Sequence, residues 1–123
     1  PICELAVGIG PLVVGPAVER KIGTAAFTQL TVNATEWQTE QWACEKGMYA
    51  SVHTTVEELD KTVNDLAVKL SNSNPEAMMM LKKVFWEGTD NWDTLLIERA
   101  EMSGKLVLSD FTKKAIEKFK TKA

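Results

Sequence analysis

The sequence predicts a mainly α-helical chain with about two short strands. Three observations support this prediction. After residue 53, apolar residues recur at helical spacing, and polar residues suited to helix N-caps precede these stretches. Only two short apolar runs, at residues 2–7 and 48–52, read as strands instead.

The first sixteen residues contain one charged side chain, Glu4, in an apolar run that glycines and prolines interrupt. We expect residues 2–7 to form a strand and residues 8–16 a turn-rich loop. A carboxylate in apolar surroundings is costly unless it is hydrogen-bonded, paired or protonated, and a carboxyl group poised to exchange its proton suits general acid/base catalysis. Glu4 is therefore a candidate catalytic residue. The alternative is that Glu4 ends a strand, points into solvent and has no catalytic role.

A short helix is predicted from about Pro16 to Lys21, because proline suits the first turn of a helix and Gly23 suits its end. A second helix is predicted over residues 24–32. Its expected inward residues are Ala26, Phe27 and Leu30.

A third helix is predicted over residues 36–46, with Thr35 as its N-cap and Gly47 at its end. Within it, Trp37, Gln41 and Cys44 recur at helical spacing. Residues 48–52 follow as the second predicted strand.

The second half of the chain is predicted to be helical. Residues 54–57 read as a capping box before a helix that reaches Leu70, and Pro75 begins a helix to about Trp86. A further stripe runs from Trp92 to Met102, and Ser109 is the expected N-cap of a last helix. The expected inward residues of that last helix are Phe111, Ala115 and Phe119. The run Met78, Met79 and Met80 favours core filling or subunit contact over a ligand surface.

Composition excludes several classes of protein. A chain of 123 residues with 45% hydrophobic and 25% charged residues is typical of one globular domain. No apolar run is long enough for a membrane span, and a net charge of −3 argues against nucleic-acid binding. Cys3 and Cys44 have no metal-site or redox spacing, so we expect free thiols and a cytoplasmic location.

Three motifs follow one another along the first half of the chain: Glu4-x3-Gly8-x2-Pro11-x3-Gly15-Pro16, Arg20-Lys21-Ile22-Gly23, and Ala43 to Val52. In order and spacing they resemble the second half of the crotonase (enoyl-CoA hydratase/isomerase) superfamily, and the likeness covers most of the chain. Residues 85–89 and 99–105 are similar, more specifically, to methylglutaconyl-CoA hydratase-like members.

This resemblance implies the α/β crotonase fold, with residues 1–53 ending the core and carrying an active-site loop. Residues 54–123 would form a helical oligomerisation region, and the assembly would be a homo-oligomer, a trimer or hexamer. Because the chain opens at Pro1 without a Met, we expect a fragment whose missing N-terminal half carries the oxyanion donors and most of the CoA-binding site.

The resemblance also assigns three site residues. Glu4 matches the second of two glutamates that activate water for addition to an enoyl thioester, and the first would lie upstream. The backbone N–H of Leu12 would help to hold that water, with loop packing as the alternative role of Leu12. Lys118 would contact the CoA adenine and phosphates from a neighbouring subunit, although the C-terminal lysines are also explained by the helix dipole.

The predicted function is an enoyl-CoA hydratase, active as the full-length parent and inactive as this chain alone. CoA is part of the acyl-CoA substrate, so no separate cofactor or metal is expected, and neither nucleic acid nor membrane is an expected partner. Isomerase chemistry stays open. The alternative from another class is a non-catalytic helical module that binds a partner or oligomerises through its apolar stripes.

Overall fold

The computed structural model describes residues 2–120, except for the side chain of residue 119. These residues form one 3₁₀ helix followed by six α-helices. The 3₁₀ helix is Cys3–Val7, and the α-helices are α1 (Gly15–Val32), α2 (Glu40–Glu45), α3 (Val56–Ser71), α4 (Pro75–Phe85), α5 (Trp92–Val107) and α6 (Asp110–Lys120).

The chain divides into two compact units. The first contains the residues up to Ala50 together with those from Asp93 onward, and the second is Ser51–Trp92. The first unit thus holds the 3₁₀ helix, α1, α2, almost all of α5, and α6, whereas the second holds α3 and α4. None of the helices within residues 2–120 is long and apolar enough to cross a membrane.

The prediction of two strands is wrong, since no residue from 2 to 120 lies in a strand. Residues 3–7 instead close local hydrogen bonds, with the N–H of Gly8 donating to Leu5 C=O at 3.0 Å and that of Ile9 to Glu4 C=O at 2.9 Å. A strand satisfies its backbone only beside a partner strand, whereas these turns satisfy it within the segment.

The second predicted strand, residues 48–52, is also absent. The backbone N–H groups of Met48 and Tyr49 both donate to Ala43 C=O, at 2.8 Å and 3.2 Å. The chain therefore folds back on the end of α2 after Gly47, whose φ of 78° is in the left-handed region that glycine adopts easily.

The predicted break at Gly23 is confirmed. The chain is helical on both sides of Gly23, but this residue has φ 76° and ψ 159°, which are not helical angles. Beyond the break, the expected inward residues do face the interior. Ala26 and Leu30 are buried, and Phe27 is half-buried.

Helix α2 begins four residues later than expected. Its N-cap is Thr39, whose hydroxyl accepts a hydrogen bond from the Trp42 N–H at 3.0 Å. The expected cap, Thr35, lies in the turn that follows α1, where the Glu36 N–H donates to Asn33 C=O. Trp37 consequently precedes the helix and is 84% exposed.

A capping box begins α3, as predicted, but its residues are Thr55 and Glu58, one position later than expected. Thr55 Oγ1 accepts from the Glu58 N–H at 3.2 Å, and Glu58 Oε2 accepts from the N–H and hydroxyl of Thr54 at 3.1 Å and 2.8 Å. Helix α4 begins at Pro75, as expected, and Asn74 caps it by accepting from two backbone N–H groups.

The apolar residues of α3 and α4 are exposed, except for Met78, which is partly buried. Neither helix contains a buried residue. Met79 and Met80 are 53% and 58% exposed, so they do not fill a core in this structure. These helices therefore present apolar faces to solvent over the second unit.

The core of the first unit forms around α1. Its buried residues are Ile22, Ala26 and Leu30, and partly buried apolar residues pack against them. Those residues are Ile2, Val18, Phe27, Trp42 and Met48. The 3₁₀ helix contacts both α1 and α6, which fixes the start of the chain against the core.

Helix α6 starts after Ser109, which is the predicted cap. Ser109 Oγ accepts from the Thr112 N–H at 3.3 Å, and Thr112 is fully buried. The expected inward position of Phe111 is wrong, since Phe111 is 65% exposed; Ala115 is half-buried. The side chain of Phe119, also expected to face inward, lies outside the described residues.

Candidate functional site

The first unit contains an open groove of about 570 Å³. Three segments build it: the 3₁₀ helix, the core-facing side of α1, and residues 37–49. Its apolar wall includes Ile2, Val14, Val18, Leu30, Ala43 and Met48. A volume of this size, with mostly apolar walls and a few polar groups, is typical of small-molecule sites. We call it the aromatic groove, because Trp37, Trp42 and Tyr49 also line it.

Glu4 lines this groove from the 3₁₀ helix and is partly buried. Its backbone carbonyl accepts a hydrogen bond from the Ile9 N–H at 2.9 Å. Among residues 2–120, no side chain forms a hydrogen bond or ion pair with the Glu4 carboxylate. The carboxylate is thus available to a bound molecule.

Three aromatic side chains also line the groove. Trp42 is half-buried against the core, whereas Trp37 and Tyr49 are 84% and 52% exposed. Large exposed rings at the edge of a cavity provide contact area that a ligand can cover. Sequence reasoning missed this role because it placed Trp37 within a helix over residues 36–46, whereas Trp37 precedes α2.

The charge of the groove has one sign. Its charged lining residues are Glu4 and Glu40, and the lining residues that the structure describes include no Lys, Arg or His. Glu40 is the first residue of α2 and is exposed. The groove is therefore both apolar and negatively charged.

Leu12 lies in a different cavity. This smaller space, of about 240 Å³, is lined by Leu12, Gly15, Phe27 and Arg99, among others. The backbone N–H of Leu12 donates to Gly10 C=O at 2.7 Å. The structure thus does not bring Leu12 together with Glu4 in one site, and in this conformation the Leu12 N–H is already used.

Lys118 lies on α6, is exposed and does not line the groove. The other lysines of this helix, Lys113, Lys114 and Lys120, are exposed as well, and Lys122 lies outside the described residues. The first turn of α6 is close to the 3₁₀ helix, because Phe111 and Thr112 approach Gly8. Glu4 and Lys118 thus belong to one compact unit but not to one cavity.

Two carboxyl groups of α3, in the second unit, have lowered pKa values. Hydrogen bonds donated by the hydroxyl and N–H of Thr54 lower the pKa of Glu58. The Lys61 ammonium, 2.7 Å from Asp65, lowers the pKa of that carboxyl by hydrogen bonding and charge. The first effect arises from the helix cap and the second from an ion pair within the same helix, and both lie on exposed residues.

No group of three or more His, Cys, Asp or Glu residues suited to a metal ion occurs within residues 2–120. The chain matches no protein-family model, and comparisons with curated proteins and with solved structures also found no match.

Proposed function

We propose that this chain supplies the Glu4 acid/base and the acyl-binding groove of a crotonase-type enzyme that adds water to an enoyl-CoA thioester. The observation that carries the proposal is the position of Glu4. Its partly buried carboxylate lines an apolar groove of about 570 Å³ and pairs with no side chain among the described residues.

The chemistry suits a carboxylate in this setting. Glu4 takes a proton from water as the water oxygen bonds to the β-carbon, and the electron pair of the double bond moves toward the thioester carbonyl. The α-carbon of the resulting enolate takes a proton from the other glutamate of the pair, and proton exchange with solvent returns both glutamates to their starting states. Charge that develops on the carbonyl oxygen requires hydrogen-bond donors. The resemblance assigns these donors, and the first of the two glutamates, to a segment that would precede Pro1.

The charge of the groove favours binding of the acyl part of the substrate there and of the CoA nucleotide elsewhere. A groove with two carboxylates and no described cation is unsuited to the phosphates of CoA, whereas its apolar wall suits an acyl chain. In this proposal the lysines of α6, Lys118 first among them, contact the nucleotide part from a neighbouring subunit. Leu12 lines the separate, smaller cavity.

A panel of enoyl-CoA thioesters on the parent enzyme tests the proposal. Loss of the conjugated-thioester absorbance, with formation of the 3-hydroxyacyl product, is the expected result. If every member of the panel is returned unchanged, or only migration of the double bond is found, hydration is rejected.

A second candidate function is a non-catalytic module that assembles through its apolar helices. The exposed apolar residues of α3 and α4 favour it, since Val63, Leu66 and Val84 are 57%, 54% and 54% exposed. A homo-oligomer, trimer or hexamer, would cover these faces and is compatible with either function. Light scattering on wild type and on the substitution Val63→Glu separates the two: loss of assembly without loss of hydration leaves Glu4 as the functional centre.

A further inference from the structure

We infer that the aromatic groove selects its ligand by charge: an acyl chain ending in an ammonium group binds most tightly, an uncharged chain less tightly, and a chain ending in a carboxylate least. This inference rests on the proposed function in one respect, namely that the bound group is the acyl part of a thioester.

The charged side chains that line the groove are all negative. Glu4 and Glu40 both line the groove, and no Lys, Arg or His is among its described lining residues. A ligand carboxylate placed between apolar walls would lose hydration, find no cation to pair with and meet two like charges. A ligand ammonium in the same place would gain two attractive interactions.

The aromatic side chains of the groove also favour a cation. Trp37 is 84% exposed and Tyr49 is 52% exposed, while Trp42 lies deeper, against the core. Aromatic rings attract cations through their quadrupole, and tryptophan does so most strongly. Aromatic rings combined with carboxylates are the chemistry by which proteins hold alkylammonium groups.

The inference also separates two versions of the resemblance. A methylglutaconyl group ends in a free carboxylate, so an enzyme acting on it has to accommodate a second negative charge on the acyl chain. The groove offers that charge no described cation. The finer likeness and the charge of the groove therefore predict opposite acyl groups, which makes the order of affinities decisive.

Titration calorimetry on the 123-residue chain provides the test. The probes are three saturated acyl thioesters of N-acetylcysteamine, matched in length, whose far ends are methyl, trimethylammonium and carboxylate. This carrier has no phosphate and a saturated chain cannot be hydrated, so only the end group varies. At low salt we expect the ammonium probe to bind at least about tenfold more tightly than the carboxylate probe, and salt to narrow the difference.

Variants identify the groups responsible. Trp37→Leu keeps apolar area but removes the ring. It should weaken binding of the ammonium probe by about two- to fivefold and binding of the methyl probe much less. Trp37→Phe keeps a ring and should retain most of the binding of the ammonium probe. Glu40→Gln should narrow the gap between the charged probes. Glu45→Gln is the matched control, since Glu45 is an exposed residue of the same helix outside the groove lining. Circular dichroism checks the fold of each variant.

The outcomes distinguish the inference from the function. Equal or tighter binding of the carboxylate probe overturns charge selection and leaves the acyl site standing. If phenylpropyltrimethylammonium binds while none of the thioesters does, the acyl site is rejected and the preference for cations is retained. If neither the thioesters nor this simple cation binds, the groove is not a ligand site and the inference is overturned.

Discussion

A Cβ atom on Gly8 would lie 2.5 Å from Cδ1 of Phe111 and 2.8 Å from the hydroxyl oxygen of Thr112. Gly8 also has φ 84°, which side chains rarely adopt. The end of the 3₁₀ helix and the first turn of α6 therefore meet at a residue without a side chain. Because this contact fixes the 3₁₀ helix, it also positions Glu4 at the groove.

Gly8→Ala should destabilise the chain. The left-handed φ alone costs about 1–2 kcal/mol for alanine, and Phe111 has to move to admit the methyl group. Urea unfolding followed by circular dichroism measures the effect. Gly104→Ala is the control, because Gly104 lies in α5 and its added Cβ would meet no atom within 4 Å apart from its chain neighbours and the adjacent backbone of its own helix. This substitution should stabilise the chain by roughly 0.5–1 kcal/mol. Equal unfolding midpoints for both variants would contradict the contact.

Thr55→Ala should destabilise α3 by about 1 kcal/mol, because the Glu58 N–H loses the hydroxyl that caps it. Thr55→Ser keeps the acceptor and should behave like wild type. Hydrogen exchange of the first-turn amides reports on this helix directly. Unchanged protection in the alanine variant would show that the cap contributes nothing.

The stability of α3 should also depend on pH through Glu58. Its pKa is lowered from 4.5 in the folded chain by hydrogen bonds from Thr54. A folded pKa below the unfolded value means that the stabilisation is complete above the unfolded pKa and is lost as pH falls through the folded pKa. Amide exchange in α3 should therefore accelerate in acid relative to Glu58→Gln, after correction for intrinsic rates. A constant difference between the two proteins from pH 6 to below about 4 would contradict this linkage.

The 123-residue chain alone should have no hydratase activity. Loss of even one oxyanion donor typically lowers the rate by about 10²–10³, and the resemblance places both donors outside this chain. Mixing the purified chain with an enoyl-CoA and following the conjugated-thioester absorbance measures this. Turnover above the protein-free rate would show that the chain holds a complete active site and that its assignment to the second half of the family is wrong.

Helices with strong local signals were the most predictable part of the fold. Asn74 and Pro75 mark the start of α4, and Gly23 breaks α1, because these residues act on the backbone next to them. Residues 2–7 were misassigned because an apolar run is compatible with either a strand or a tight turn, and only the packing partners decide between them. The 3₁₀ helix packs on α1 and on α6, and α6 is distant from it in sequence.

The site was less predictable than the helices. Glu4 became a candidate because a lone carboxylate in an apolar run is visible in the sequence, and its role stays a prediction. The groove was not, because it joins three segments and because Trp37 precedes α2 rather than lying within it. The signal that could have indicated it is the density of aromatic and acidic residues from Trp37 to Glu45.

The central claim is that Glu4 acts as the acid/base, and the turnover of Glu4→Gln in the parent enzyme tests it most directly. The account predicts a loss of hydration of about 10²-fold or more with little change in folding, since the substitution removes a positioned proton acceptor but keeps the shape of the side chain. Glu45→Gln, on an exposed residue outside the groove, should retain wild-type turnover. If the turnover of Glu4→Gln stays within about threefold of wild type, the loss is far smaller than the roughly 10²-fold minimum expected for a positioned acid/base. Glu4 is then not the catalytic residue.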